Sequence, residues 1–269
     1  MPESPPIVLT IAGFDPSSGA GVTADIKTIA AHGCYGISAI TAMTIQSTAG
    51  VRRVVPTDPK VLADTLYELL GDGKVSAVHI GMLGTGEAAL RVAEFLQNAS
   101  PKNVVLDPVL KSSSGAGLLD PNGVAVLMER VLPLADAITP NIDEAAALTG
   151  MKVKNVAQME AAARRLHEMG AKVVVVTGGH LEQAIDMLSS KGEPVQIYRA
   201  NRIDSPNTHG TGCAFSTAIA CHLAQGQSLA MAVLLAKAYV LGAIKSSYSI
   251  GQGSGPVNHM YRIDCSLRH

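Results

Sequence analysis

The chain contains no tryptophan, and its 6 tyrosines and 3 phenylalanines leave aromatic residues at 3% of 269. Its bulk is therefore aliphatic: Val, Ile, Leu, Met and Ala carry most of a 47% hydrophobic composition. Charged residues are also scarce, at 16%, against roughly 25% in ordinary soluble domains. That scarcity excludes a disordered chain and fits a compact oligomer, for which a homodimer is expected. Neither sign of charge dominates, with 21 basic and 22 acidic residues and a net charge of −1. There is no block of like charges and no interleaving of aromatics with Lys or Arg, so no nucleic-acid partner is expected. No segment approaches the roughly 20 apolar residues of a membrane span. The opening Met1-Pro2-Glu3-Ser4-Pro5-Pro6 carries no basic stretch followed by an apolar run. A cytoplasmic protein with no membrane partner is the expectation. The cysteines Cys34, Cys213, Cys221 and Cys265 form no CxxC pair, which argues against a zinc ribbon or a thioredoxin-like couple and for scattered free thiols. A GxxxxGK[ST] phosphate loop is missing altogether.

What is present is alternation. Apolar runs at Ile7–Ala12, Gly36–Ile45, Ala77–Ile80, Val104–Asp107, Ala135–Thr139 and Lys172–Thr177 read as strands, several buried on both faces. Helical spacing lies between them: Val22, Ile26, Ile29 and Gly33; Val61, Leu62, Leu66 and Leu69; a segment opened by Thr85; and Asn155–Met169, with Arg164, Arg165 and Glu168 outside. Strand alternating with helix predicts right-handed βαβ units and a mostly parallel sheet covered on both sides. Val51–Pro56 reads as a short extra strand. Ala184–Leu188 and Val195–Arg199, around Lys191-Gly192-Glu193, read as an edge hairpin. Without linkers or repeats, one domain over residues 1–269 is expected.

Glycine loops follow several of these strands. Gly13-Phe14-Asp15-Pro16-Ser17-Ser18-Gly19-Ala20-Gly21 leads into the first helix. Gly19-x-Gly21-x-x-Ala24 resembles a dinucleotide fingerprint, but no acidic residue occurs between Asp25 and Asp58 to hold a ribose; a tight strand-to-helix turn is the plainer reading. Asn207-Thr208-His209-Gly210-Thr211-Gly212-Cys213 opens an apolar helix. Amides converging there, with the helix dipole, suit a phosphoryl group in transit. The same dipole predicts a lowered pKa for the Cys213 thiol. The bland reading, a capped helix with a buried thiol, is preferred for Cys34, Cys221 and Cys265 but not for Cys213.

Asp107 ends a buried strand, and Asn141-Ile142-Asp143-Glu144 ends another and begins a helix. Carboxylates so placed suit Mg²⁺, although Glu144 serves equally well as a helix-start cap. Thr177-Gly178-Gly179 ends a further strand and suits a nucleotide. His180 and His209 are read as plain polar loop residues. The residues after the predicted strands fall on one edge of a parallel sheet, where open α/β folds bind ligands.

In this order, GFDPSSGAGVTADIKT, AITAMTIQSTAGV, HIGMLG, VVLDPV, ITPNIDEAAALTG, VTGGH, NTHGTGCAFS and GPVNH resemble the hydroxymethylpyrimidine/phosphomethylpyrimidine kinases of the ribokinase-like superfamily, nearly end to end. The resemblance implies a three-layer αβα sandwich and ATP-dependent phosphorylation of 4-amino-5-hydroxymethyl-2-methylpyrimidine and its monophosphate, in thiamine biosynthesis. It implies Cys213 as base, where related sugar kinases carry Asp, with Gly210, Thr211 and Gly212 as the anion hole. Gln46 would read the aminopyrimidine, with Gly13, Asp25, Met82 and Val109 in the same pocket. Asn141, Thr177, Gly179 and Thr208 would meet ATP, and Asp107 and Glu144 would meet Mg²⁺. Many members of this family place a lysine where this chain has Thr177, which shifts phosphate neutralisation toward Mg²⁺, the Gly210–Cys213 amides and Lys111. Three other readings stand beside this one: a vitamin B6 kinase of the same fold, an NAD-dependent oxidoreductase and a non-catalytic binder.

Overall fold

The computed structural model describes residues 4–179 and 183–264; His180 and Cys265 lie outside them. The elements run β1 (Ile7–Phe14), α1 (Gly21–Ala31), β2 (Tyr35–Ser47), β3 (Gly50–Pro56), α2 (Pro59–Asp72), β4 (Val75–Ile80), α3 (Gly86–Ala99) and β5 (Val104–Leu106). They continue with α4 (Pro121–Val126), β6 (Ala137–Ile138), α5 (Ile142–Thr149), α6 (Val156–Glu168), β7 (Val173–Gly178), β8 (Ala184–Ser190) and β9 (Gln196–Ala200). The chain closes with α7 (Thr211–Ala224), α8 (Leu229–Lys245) and α9 (Tyr261–Asp264). Among the described residues the strands form one sheet, ordered β3-β2-β1-β4-β5-β6-β7-β8-β9.

From β2 to β7 neighbouring strands are parallel. Antiparallel strands finish both edges: β3 beyond β2, and the β8–β9 hairpin beyond β7. The strand alternation sorts side chains to opposite faces. Leu9, Ile11, Val78, Ile80, Val104, Leu106, Val174 and Val176 pack beneath α2, α3, α5 and α6. Val8, Ala77, Val105 and Val175 pack beneath α1, α7 and α8. Helices on both faces of one sheet make the αβα sandwich anticipated from the alternation.

Local chemistry sets the ends of several elements. Asp58, Thr85 and Asn155 accept backbone N–H groups at the starts of α2, α3 and α6. Gly33, expected within the first helix, lies past its end in a left-handed turn, with φ +70°. The sixth strand is shorter than expected because the Ala135 N–H closes the preceding helical turn on Val131 and Leu132. The strand order reverses between β1 and β4, whose carboxyl ends open the crevice where ligands bind in such sheets.

Candidate active site

The loops after β1, β2, β4, β5, β6 and β7 and the start of α7 meet at that crevice. Two glycine loops make its floor. Gly210 has φ +84° and packs on the carbonyl of Gly19 so closely that no side chain fits. Gly21, at φ +58°, packs in the same way on the carbonyl of Gly13. The sequence places glycine where two backbones must touch, and this contact joins the first strand's loop to the start of α7. Thr211 Oγ1 donates to the Thr208 carbonyl at 2.5 Å, closing the turn before the helix.

Cys213 lies in the first turn of α7 and is only partly exposed. Its thiol feels the negative charges of Asp25, Asp107 and Glu144. Burial, joined by the negative charges of Asp25 and Asp107, pushes it well above its ordinary value, against a hydrogen bond from Gly21. This reverses the lowered pKa expected from the helix dipole: the dipole is outweighed by desolvation and by charges that come from distant parts of the chain.

Asp107 and Glu144 are near enough that the charge of Asp107 raises Glu144. Burial pushes Asp107 up to about 6, against the charge of His79 and a bond from Ser216. Burial and the charge of Asp107 push Glu144 up to about 8. Glu144 also completes a capping box, its Oε2 accepting from Asn141 N at 2.9 Å while Asn141 Oδ1 caps Asp143 and Glu144. Cap and ligand are therefore compatible roles. Among the described residues no group of three or more His, Cys, Asp or Glu forms a ready-made metal cage. A paired, mutually repelling carboxylate site nonetheless fits Mg²⁺, which takes one or two carboxylates and completes its shell with water and phosphate.

Gly13 and Val109 both adjoin Met82, while Gln46 meets Thr44 and His209. Met82 Sδ lies 2.7 Å from where a side chain on Gly13 would begin. Met82, Ala42 and Leu118 form a small apolar cluster against which Val109 packs. Thr44 ties Gln46 to β1, donating to the Phe14 carbonyl at 3.0 Å and lying 3.1 Å from Gln46 Oε1. The segment from Leu110 to Leu119 folds back on itself through a Lys111–Gly117 bridge. Lys111 itself is exposed on it. At the ends of β6 and β7, Asn141 and Thr177 are bridged neighbours, and Gly179 is exposed beyond them. Thr208 is exposed at the mouth of the Gly210 loop.

Two sequence expectations change. Asp25, expected against substrate, is wholly buried: Thr10 Oγ1 donates to it at 2.6 Å and Thr217 Oγ1 at 2.9 Å, with His79 Nδ1 at 3.3 Å. It anchors α1 to α7 beneath the site. His209, read as a plain loop residue, is buried at a junction. Its Nε2 lies 3.0 Å from Asp15 Oδ2 and 3.3 Å from Gln46 Nε2, and its Nδ1 3.3 Å from Ser113 Oγ. His79 and Ser216 were not singled out by the sequence at all. His79, wholly buried, reaches Ser216 Oγ through Nε2 at 2.9 Å. Burial opposes its charge, but Asp25 outweighs burial and holds its pKa above the ordinary value. The single available signal was their presence in HIGMLG and GTGCAFS.

Known proteins similar to this chain include kinases. The family described as phosphomethylpyrimidine kinase matches residues 15–258. A hydroxymethylpyrimidine/phosphomethylpyrimidine kinase of Haemophilus influenzae is 41% identical over 94% of this chain and 96% of its own length. The thiamine biosynthesis bifunctional protein ThiED of Geobacter sulfurreducens is 44% identical over 94% of this chain, which spans 52% of that longer protein. An ADP complex of Bacillus subtilis pyridoxal kinase superposes with a TM-score of 0.87 at 37% identity, covering 95% of this chain and 98% of that one. The chain belongs to the phosphomethylpyrimidine kinase family.

Proposed function

We propose that this chain is an ATP-dependent kinase that phosphorylates the hydroxymethyl group of 4-amino-5-hydroxymethyl-2-methylpyrimidine, and then the resulting monophosphate, in thiamine biosynthesis. One observation carries the reading: Cys213, on the glycine-led first turn of α7, stands among the carboxylates of Asp107 and Glu144 at the same sheet edge as Gln46. The amides from Gly210 to Cys213 hold the transferring phosphoryl group, whose charge spreads over several oxygens. Cys213 takes the proton of the acceptor hydroxyl as its oxygen attacks the γ-phosphate in line. In the unliganded site the thiol keeps its proton, because burial and the neighbouring negative charges disfavour the thiolate. Positive charge brought in beside Asp107 would lessen that disfavour, with burial and Asp25 still opposing it.

Asp107 and Glu144 would hold Mg²⁺, which would supply positive charge against the nucleotide phosphates. Asn141, Thr177, Gly179 and Thr208 border the nucleotide, and Gly13, Gln46, Met82 and Val109 the pyrimidine. We assign the whole chain to one catalytic domain acting in the cytoplasm. Among the described residues no helix is long and apolar enough to cross a membrane. Met43, Ile45 and Val55, at 46%, 47% and 40% exposure on β2 and the edge strand β3, support a homodimer through that arm, which sedimentation at micromolar concentration tests.

Similarity to the Bacillus subtilis pyridoxal kinase keeps a vitamin B6 kinase as the second reading. ADP release measured with the pyrimidine alcohol, its monophosphate and pyridoxal distinguishes the two. Highest kcat/KM on the pyrimidines is expected; highest kcat/KM on pyridoxal overturns the proposal in favour of the second reading.

A further inference from the structure

Asp15 has no freedom in how it meets His209. Its Oδ1 accepts from Ser17 N at 2.8 Å and from Ser17 Oγ at 2.7 Å, and its Oδ2 accepts from Ala20 N at 2.9 Å. Burial pulls the carboxyl up, but the bonds to His209 and Ser17 outweigh it and hold Asp15 below its ordinary value. An ionised carboxylate only accepts, so His209 Nε2, 3.0 Å from Oδ2, must carry a hydrogen. That nitrogen then has no lone pair for the side chain of Gln46. As placed, Gln46 Nε2 faces it at 3.3 Å, donor against donor.

Turning the Gln46 amide over resolves the conflict. Amide oxygen and nitrogen are assigned from their hydrogen-bond surroundings, and here the surroundings agree. Thr44 Oγ1 gives its hydrogen to the Phe14 carbonyl at 3.0 Å, leaving a lone pair for an amide N–H. The carbonyl of Gln46 then takes the position facing the His209 N–H, and its NH₂ the position facing Thr44, 3.1 Å away. His209 Nδ1 is left to accept from the Ser113 hydroxyl at 3.3 Å, on the loop that folds over this corner.

We propose that Asp15 and His209 are positioning residues that fix the orientation of the Gln46 amide, with its carbonyl toward His209 and its NH₂ toward Thr44, and so determine which ring edge the site accepts. The ligand class is a heteroaromatic ring carrying an amino group beside a ring nitrogen, because such an edge offers a donor and an acceptor side by side to an amide held in one orientation. This rests on the pyrimidine reading given above. A ring that lacks the amino group leaves half of the fixed amide unpaired, which is the kind of mismatch that sites discriminate against most strongly.

The test has a substrate-free arm and a kinetic arm. Long-range ¹H–¹⁵N correlation spectra of the unliganded enzyme are expected to show His209 protonated at Nε2; a bare Nε2 overturns the proposal whatever the substrate proves to be. His209→Leu removes the donor, and His209→Gln keeps an N–H at the same reach toward Asp15. His209→Leu is expected to raise KM for the aminopyrimidine alcohol about tenfold or more, the scale of a lost buried hydrogen bond. KM for ATP should stay unchanged, and His209→Gln should recover most of the loss. Equal defects in the two variants, or a parallel rise in both KM values, would mean that His209 only holds the loop and would overturn the proposal. Failure of the pyrimidine reading would show differently: the wild-type enzyme would prefer pyridoxal while the Nε2 proton remained.

Discussion

Ser216 Oγ stands 3.2 Å from Asp107 Oδ2 and 2.9 Å from His79 Nε2, one turn along α7 from Cys213. The helix that presents the candidate base is thereby tied to the candidate metal carboxylate. Through His79 the connection continues to Asp25, which Thr217 holds from the same helix. The base and the carboxylates are thus parts of one buried polar assembly rather than independent groups on separate loops.

Ser216→Ala should expose how much that tie contributes. The hydroxyl's bond holds the Asp107 carboxyl down, so its loss should push Asp107 further up and weaken Mg²⁺ binding at neutral pH. Loss of a buried bond to a charged group costs about 1.5–3 kcal/mol. A lowered Tm together with a higher Mg²⁺ requirement in turnover assays is expected; a change in Tm alone would confine Ser216 to a packing role.

Cys213→Ala should reduce kcat by about 100-fold or more, the usual scale for a general base, while ATP still binds by calorimetry. The wild-type thiol, held up by burial and by Asp25 and Asp107, should react with iodoacetamide more slowly at pH 8 than an ordinary cysteine does. Its rate should still be climbing above pH 9. Fast labelling of Cys213 at pH 7 in the unliganded enzyme would contradict that environment.

Thr177 sits beside Asn141 at the end of β7 with its side chain half-buried. A cation at that position would face the nucleotide phosphates assigned to this edge. Thr177→Lys should lower KM for ATP by about threefold or more through a charge-assisted contact, leaving KM for the pyrimidine unchanged. A change in the pyrimidine KM instead would move Thr177 out of the nucleotide subsite.

Stability should respond to acid through the histidines of the α1–α7–α8 layer. Burial pushes His32 down to about 4, and His259 likewise to about 4; the Nε2 of each has no hydrogen-bond partner. Between an unfolded value near 6.5 and these folded values, the unfolded chain binds protons that the fold refuses. Their stabilising contribution is complete above about pH 6.5 and is lost as pH falls toward 4. Asp107 and Glu144, raised in the fold, act in the opposite direction, so the comparison must be made between variants. His32→Phe, which keeps a ring against Tyr239 and His222, should flatten the fall of unfolding free energy by up to about 1.4 kcal/mol per pH unit. An unchanged slope would show that His32 is protonated in the fold.

Much of this architecture is legible in the order of residues. Continuous apolar runs such as Lys172–Thr177 mark buried strands, and Lys191-Gly192-Glu193 marks the edge hairpin, because both signals are local. The Gly210–Cys213 loop is legible for the same reason, since glycine and helix start are adjacent in the chain. What was missed depends on partners far away in sequence. The Cys213 thiol is displaced upward by Asp25 and Asp107, neither of which its own segment reveals. Asp25 reads as a ligand until Thr10 and Thr217 are seen to occupy it. His209 reads as solvent-facing until Asp15, 194 positions earlier, is found against it.

The contact of Gly210 on Gly19 brings together stretches near opposite ends of the polypeptide. Neither stretch alone forms the surface proposed to hold phosphate, which is complete only when the start of α7 rests on the loop after β1. A nascent or clipped fragment would carry intact strands yet bind no nucleotide productively. Cutting the chain anywhere between these two stretches is therefore expected to separate the halves of one surface unless both pieces stay docked.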